Sequence, residues 1–543
     1  MSHAAGSPGL AANDSSNPIS ISQDGRFVVF GSRATDLVPQ PIDQFRSAIF
    51  VYDRLSGTNA LVSRSVVTPP GDVPWWWGRP SPDARYIPFL SDANDLVPGQ
   101  TDPGTTQSVF LFDQITGTTE LISHATGSPA AEANDRSESA AVSPDGRYVA
   151  FRSLATDLVA GLVDTNGHPD LFLYDRATGT TTLLSRNAAG MPANRPSGNP
   201  IFAAGGRCLV FVSEATDLVP GFDSPDDWWP DVFLYSFESG TISVISQAHG
   251  AVALSNGASY YPSVSADCSA VAFTSEATNL VPGQPADQTA DLFLREPRRG
   301  TTTQLGRTNF VPDSFYLPPQ AEVSADGRFV AFEAIDAALV PGQEQRSDPN
   351  VFLFDRLTRG FLLASGAGGS PTRTANSGSA PRGISADGRA VVFWSGASDL
   401  AVGDFNGKGD IFLFSHALEG IGLFLVSPCR LFDTRRPEDG PALASHTPTF
   451  LDVDGGCGIP ATARALVLSV TVVQPTGTGF LTLYPGDAEP PVASTVNFAA
   501  GAIRTNNAIV PLALDGTQSL GLRAIVAGNG TVHVVVDVAG YFE

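Results

Sequence analysis

One unit of roughly 60 residues recurs seven times along the chain, and no other property limits its fold as strongly. Its first marker is a turn of the type Ser-x-Asp-Gly-Arg followed by an apolar run. The turn recurs as Asp24-Gly25-Arg26, Asp83-Ala84-Arg85, Asp145-Gly146-Arg147, Gly205-Gly206-Arg207, Asp267-Cys268, Asp326-Gly327-Arg328 and Asp387-Gly388-Arg389. Ala-Thr-Asp-Leu-Val-Pro or a relative follows, as at Asp36-Leu37-Val38-Pro39 and Asp217-Leu218-Val219-Pro220. Next comes a Val-Phe-Leu-Tyr-Asp-Arg-x-Thr-Gly run, as from Leu171 to Gly179, and then Thr-x-Leu-Val-Ser, as from Thr182 to Ser185.

Each unit reads as four strands, a to d. Strand a precedes the Asp-Gly turn, strand b is like Phe27-Val28-Val29-Phe30, strand c like Phe352-Leu353-Phe354, and strand d is the Thr-x-Leu-Val-Ser run. Asp-Gly and Thr-Gly between apolar runs mark tight reversals, because glycine adopts positive φ at little cost. Strands b and c are apolar on both faces, the pattern of strands covered from both sides. A lone four-stranded unit would leave one of those faces wet, so the units must stack, and radial closure disposes of most exposed edges. The expected fold is all-β: a seven-bladed β-propeller over residues 1–425, with units starting near 17, 79, 137, 197, 258, 317 and 376, followed by a β-sandwich over 426–543.

The Ser-x-Asp-Gly-Arg turns with their Phe-rich strands resemble the TolB-type, WD-repeat-like propeller repeats of bacterial envelope proteins, over residues 17 to about 427. The resemblance implies a propeller and an exported location. Seven units depart from the six-bladed pattern of TolB itself, so TolB's peptide- and lipoprotein-binding role is not carried over. Residues 1–22 align without gaps on 122–143, which puts Met1 inside a strand d. Either the reading frame begins further upstream with an export signal, the preferred reading, or the last unit closes without an N-terminal strand. A strand d for that unit is expected around Ile421 to Val426.

Strand direction places the a–b and c–d turns at one end of every unit, and the b–c loops and d–a linkers at the other. The length beyond the 40–45 residues of a typical WD repeat sits in the b–c loops and linkers, so one face carries the decoration. Loops on a rigid scaffold are where function concentrates. Two features fall on that face. Asp164, Asn166 and Asp170, and likewise Asp404, Asn406 and Asp410, share the pattern Asp-x-Asn-Gly-x-x-Asp. Alternating oxygen ligands, a turn glycine and a closing carboxylate suit calcium; the competing and favoured reading is a metal-free Asx turn. The second feature is aromatic: Trp75, Trp76 and Trp77 in a d–a linker and Trp228 and Trp229 in a b–c loop, five of the six tryptophans. Exposed Trp rings suit sugar rings or apolar partner residues; the alternative is that they fold back and seal the loops.

Four cysteines allow two pairs, Cys208 with Cys268 and Cys429 with Cys457. Paired, they imply an oxidising compartment; four buried thiols are the alternative. From about Val426 a new pattern begins with Pro428-Cys429-Arg430-Leu431-Phe432-Asp433-Thr434-Arg435. Leu466, Leu468, Val470 and Val472 alternate as in a half-buried strand. This segment resembles a C-terminal module of secreted bacterial proteins, which implies surface attachment or glycan contact. Asp433 and Arg435 are read as an ion pair under the disulfide, with ligand binding as the alternative.

The net charge of −23 disfavours nucleic acid and anionic membranes as partners, and no run of apolar residues is long enough for a spanning helix. The sequence holds no His-Glu-x-x-His, Gly-x-Ser-x-Gly or Walker loop, and its seven histidines are scattered. The expectation is a non-catalytic, monomeric, secreted, periplasmic or cell-surface protein that binds a protein or polysaccharide. A glycan-active hydrolase or lyase with carboxylates from several blades, and a structural or adhesive surface protein, are the alternatives.

Overall fold

The computed structural model describes residues 12–39, 48–63, 78–102, 107–164, 166–222, 228–284, 289–308, 320–335, 339–344, 348–401, 409–416, 423–453, 456–491, 493–513 and 517–543. Strands b and c do form, hydrogen-bonded to each other at the centre of successive antiparallel sheets. Sheet 1 runs Ser16–Ile21, Phe27–Ser32, Ala48–Asp53 and Thr58–Leu61, and sheet 2 runs Tyr86–Ser91, Ser108–Asp113 and Thr118–Leu121. Sheet 3 comprises Ser137–Val142, Tyr148–Ser153, Asp170–Asp175 and Thr180–Leu183, and sheet 4 comprises Ser197–Phe202, Cys208–Ser213, Asp231–Ser236 and Thr241–Val244. Sheet 5 is Ser259–Val264, Val271–Ser275, Asp291–Glu296 and Thr301–Gly306; sheet 6 is Ala321–Val323, Phe329–Ala334, Asn350–Asp355 and Gly360–Leu363. Sheet 7 has three strands among the described residues, Ser379–Ile384, Ala390–Ser395 and Asp410–Ser415. In each four-stranded sheet among these seven, strand order follows chain order, the propeller-like arrangement of an all-β fold.

The chain divides into two compact units, Met1–Arg295 with Thr302–Ala321, and Glu296–Thr301 with Glu322–Glu543. Within the first, the two apolar faces of strands b and c are buried between consecutive sheets. Val29, Ile49 and Val51 of sheet 1 share a core with Ile87, Phe89 and Phe110 of sheet 2. The same relation joins Val109 and Leu111 to Phe151 and Phe172, and Leu171 and Leu173 to Phe211 and Phe233. Within each sheet the two phenylalanines stack across strands b and c, as Phe151 does on Phe172 with centroids 5.9 Å apart.

The turn marker has a definite geometry. Ser143 Oγ donates to Asp145 Oδ1 (2.6 Å), Asp145 accepts the Arg147 backbone N–H (3.0 Å), and Ser143 Oγ accepts the Tyr148 N–H (2.8 Å). Gly146 sits at φ 72°, and a Cβ there would overlap the Tyr86 ring of the preceding sheet. Arg147 then reaches the c–d turn and grips Asp175 with two hydrogen bonds of 3.1 and 2.8 Å. Arg26–Asp53, Arg85–Asp113 and Arg328–Asp355 repeat the grip. In sheets 1, 2, 3 and 6 the a–b and c–d turns therefore lie at one end, tied by a bidentate pair.

Sheets 4, 5 and 7 depart from this rule, sheet 7 with Ser415 in the place of the aspartate and sheets 4 and 5 in a matched way. Sheet 4 has Ser236 where Asp175 stands in sheet 3, and sheet 5 has Ser269 where Arg147 stands. At this end the two sheets are joined instead by the Cys208–Cys268 disulfide. Cys268 has φ 65°, in the place that glycine holds in most other turns, a conformation that costs a non-glycine residue roughly 1–2 kcal/mol.

In the second unit the carboxylate of Glu296 is fully buried and paired with Arg356 at 2.8 Å and Arg359 at 3.1 Å. Residues 423–426, the described part of the segment expected as that unit's fourth strand, do not extend sheet 7. A strand Leu423–Asp433 pairs antiparallel with Thr531–Phe542 (Leu423 opposite Phe542, Cys429 opposite Val538), so the expectation of a fourth strand for the last unit there is overturned. The longer apolar partner strand outcompetes the edge of sheet 7. The C-terminal residues form two sheets. One is ordered Leu423–Asp433, Thr531–Phe542, Ala465–Val473, Arg504–Pro511, and the other Pro448–Asp452, Ser519–Val526, Gly479–Pro485, Val496–Phe498. Leu466, Leu468, Val470 and Val472 point into a core shared with Leu481, Leu520 and Leu522. Cys429 and Cys457 are bonded, and the buried Asp433 carboxylate receives Arg435 (2.8 and 2.7 Å) and Arg430 (2.9 Å), which hold it far below the usual carboxylate range.

Removing the Cys208–Cys268 link should lower stability by about 3 kcal/mol. At position 268 the two replacements should differ: Cys208→Ser with Cys268→Gly should melt higher than Cys208→Ser with Cys268→Ser, by about 1 kcal/mol in denaturant unfolding. Equal stabilities would contradict the strain assigned to that turn.

Candidate functional site

The opposite end of the sheets is held by a different repeated set of bonds. The linker residue Asn134, just before sheet 3, receives a hydrogen bond at its side-chain oxygen from Thr156 N–H (2.9 Å) and donates its amide to Thr156 Oγ1 (2.8 Å). Its own backbone N–H donates to Asp157 Oδ1 (3.0 Å). Asn13 with Thr35 and Asp36, Asn194 with Thr216 and Asp217, Asn256 with Thr278 and Asn279, and Asn376 with Ser398 and Asp399 repeat it. The Ala-Thr-Asp marker is thus a latch between the d–a linker and the b–c loop. Both belong to one end of each sheet, the end that carries the long connections.

On that end Trp228 and Trp229 are 72% and 52% exposed. The Arg195 guanidinium lies over the Trp228 ring, 3.8 Å from its centroid. Arg195 follows the latch residue Asn194, so the latch fixes the backbone that carries the stack. A cation over an indole face is attractive by roughly 0.5–1 kcal/mol at an exposed site. Trp75, Trp76 and Trp77 lie outside the described residues, as do Asp404 and Asn406.

The candidate calcium residues Asp164, Asn166 and Asp170 are adjacent. Asn166 N–H donates to Asp164 Oδ1 (3.0 Å), an Asx turn, and Asn166 Nδ2 donates to Ala193 O (2.7 Å) and to Asp170 Oδ2 (3.4 Å). Asp170 is buried, with Ser185 Oγ donating to Oδ1 (2.7 Å) and also accepting the Leu171 N–H (2.9 Å). Asp170 opens strand c, and Asp231, Asn350 and Asp410 open it in their sheets. Ser246 and Ser365 bond Asp231 and Asn350 as Ser185 bonds Asp170. The closing carboxylate of the loop therefore has a use in the repeat that involves no ion. Among the described residues no three His, Cys, Asp or Glu side chains are grouped to hold a metal.

Burial, with Asp164 and Asp217 nearby, pushes the Asp170 carboxyl up to about 7 against the hydrogen bonds from Ser185 and Asn166. Burial raises Glu333 to about 7 as well. None of this was visible in sequence: a strand-opening aspartate looks the same whether its carboxylate faces water or a serine.

No family model matches the chain, and no curated protein matches it. Solved structures similar to it include a putative TolB from Agrobacterium tumefaciens (15% identity, 69% of this chain and 99% of that one, TM-score 0.32). TolB from Acinetobacter baumannii is similar at 14% identity, over 74% of this chain and 79% of that one, TM-score 0.28. A puromycin-hydrolysing peptidase from Mycobacterium tuberculosis is similar at 13% identity, over 80% of this chain and 58% of that one, TM-score 0.37.

The raised Asp170 carboxyl has a signed consequence. Between about pH 4 and 7 the folded chain holds a proton that the unfolded chain releases, so stability falls as pH rises through that window. Asp170→Asn, which copies the natural Asn350, should raise the melting temperature near pH 8 and flatten the profile between about pH 5 and 8. A calcium chelator should leave the wild-type melt unmoved; a drop would mean that the carboxylate of Asp170 serves an ion rather than Ser185.

Proposed function

We propose that this chain is a non-catalytic binding protein of the cell exterior, whether secreted, periplasmic or surface-held. In this reading the seven sheets are blades of one β-propeller over residues 1–425, and 426–543 form a β-sandwich that attaches it. The loop-bearing end engages a protein or polysaccharide. The observation that carries the reading is the exposure of Trp228 and Trp229 at that end, with Arg195 stacked on the first. Large aromatic rings are rarely left in water on a rigid scaffold without a partner. The two disulfides fit an oxidising compartment, and no helix among the described residues is long and apolar enough to cross a membrane.

Screening glycan arrays and bacterial envelope fractions with the full chain tests this. Wild type should retain a ligand, and Trp228→Ala with Trp229→Ala should weaken retention by about thirtyfold or more with an unchanged melting temperature. Retention that ignores both tryptophans would remove the face from the reading.

A further inference from the structure

The exposed apolar side chains of the first unit are not scattered evenly over its two ends. At the turn end, Ile21, Leu55 and Ile115 are each exposed beside a separate short turn. At the loop-bearing end, Val163, Met191, Trp228, Trp229 and Val252 are exposed in consecutive connections of sheets 3, 4 and 5. A chain of direct contacts links those connections. The loop bearing Val163 touches the linker bearing Met191 through Asn166 Nδ2 and Ala193 O (2.7 Å). That linker touches the loop bearing Trp228 through Arg195 on the ring and Asn187 Nδ2 on Asp217 Oδ2 (3.0 Å). The same loop carries Gly221, where a Cβ would lie 4.0 Å from Val252. The connections that bear the five side chains are therefore joined in series at one end of the sheets, which gathers these exposures into one region.

Resting on the binding role proposed above, we infer that this patch takes a protein partner, through a segment with two or more apolar side chains flanked by lysine or arginine. Sugar rings use aromatic platforms and polar hydrogen-bonding groups. Here two valines and a methionine extend the platform, and an adaptable thioether with aliphatic neighbours matches partner side chains. Trp and Arg are the residue types that dominate protein–protein energetics. The charge of the partner follows from the surroundings. Asp157, Asp164 and Asp217 lie on the same loops, and the chain as a whole carries −23. Carboxylates on the loops that carry the apolar side chains favour basic residues on the partner and speed its encounter at low salt.

The test uses the full chain against an array of short peptides graded in net charge and in apolar content, with neutral and anionic glycans in parallel. Peptides combining clustered apolar residues with flanking Lys or Arg should be retained best, less at high salt. Trp228→Ala with Met191→Ala should weaken them by about thirtyfold or more, while Leu55→Ala with Ile115→Ala at the other end should change nothing. Retention of glycans alone, through the tryptophans, would overturn this inference and leave the binding role standing. Peptide retention indifferent to charge, or unaffected by the patch substitutions, would overturn it too. No ligand of either class at this end would remove both.

Discussion

Strands b and c have no face suited to water, and most of the architecture answers that constraint. An isolated antiparallel sheet buries one side at best. Here Val29 and Ile49 on one side and Phe30 and Phe50 on the other are all buried, and the next sheet supplies the cover on the Val–Ile side. Burial of this kind is worth roughly 1.5–3 kcal/mol per large side chain, so the repeat is retained through its apolar strands while its turns drift. The tolerance shows in Ala84 and Cys268, which hold positive φ where other turns use glycine.

Two sets of polar bonds, one at each end, keep the sheets in register while the apolar faces do the stabilising. The Arg–Asp grips tie turn to turn, and the Asn–Thr–Asp latches tie linker to loop. The latches have the larger bearing on function. Each ties the end of a linker to the start of a b–c loop, so Arg195, next to Asn194, is presented to Trp228 from anchored backbone.

Much of the architecture was legible because its signals are local. A Ser-x-Asp-Gly-Arg turn is specified within five residues, and the alternation from Leu466 to Val472 within seven. Both cysteine pairs could be named because their partners stand at like positions in adjacent units or in one module. What escaped depends on partners distant in sequence. The latch joins residues 22 or 23 apart, and nothing in Asn134 alone marks it. The strand after residue 421 was assigned to the wrong sheet because its partner lies more than a hundred residues later, at Thr531–Phe542. Nothing in the sequence marks Arg195, a residue of ordinary appearance in the linker, as the one that stacks on Trp228.

The disulfide joins sheets 4 and 5, two of the sheets that lack the ionic grip. Bidentate ion pairs form as soon as the chain collapses and weaken in acid; a covalent bond between two turns needs an electron acceptor and then ignores acidity. The molecule therefore matures in two stages. The ionic grips are complete on folding, and the two disulfides wait on the redox state of the surroundings, so a chain assembled inside a reducing cell would lack the covalent link between sheets 4 and 5 at the turn end, the end away from the loops that hold the tryptophans.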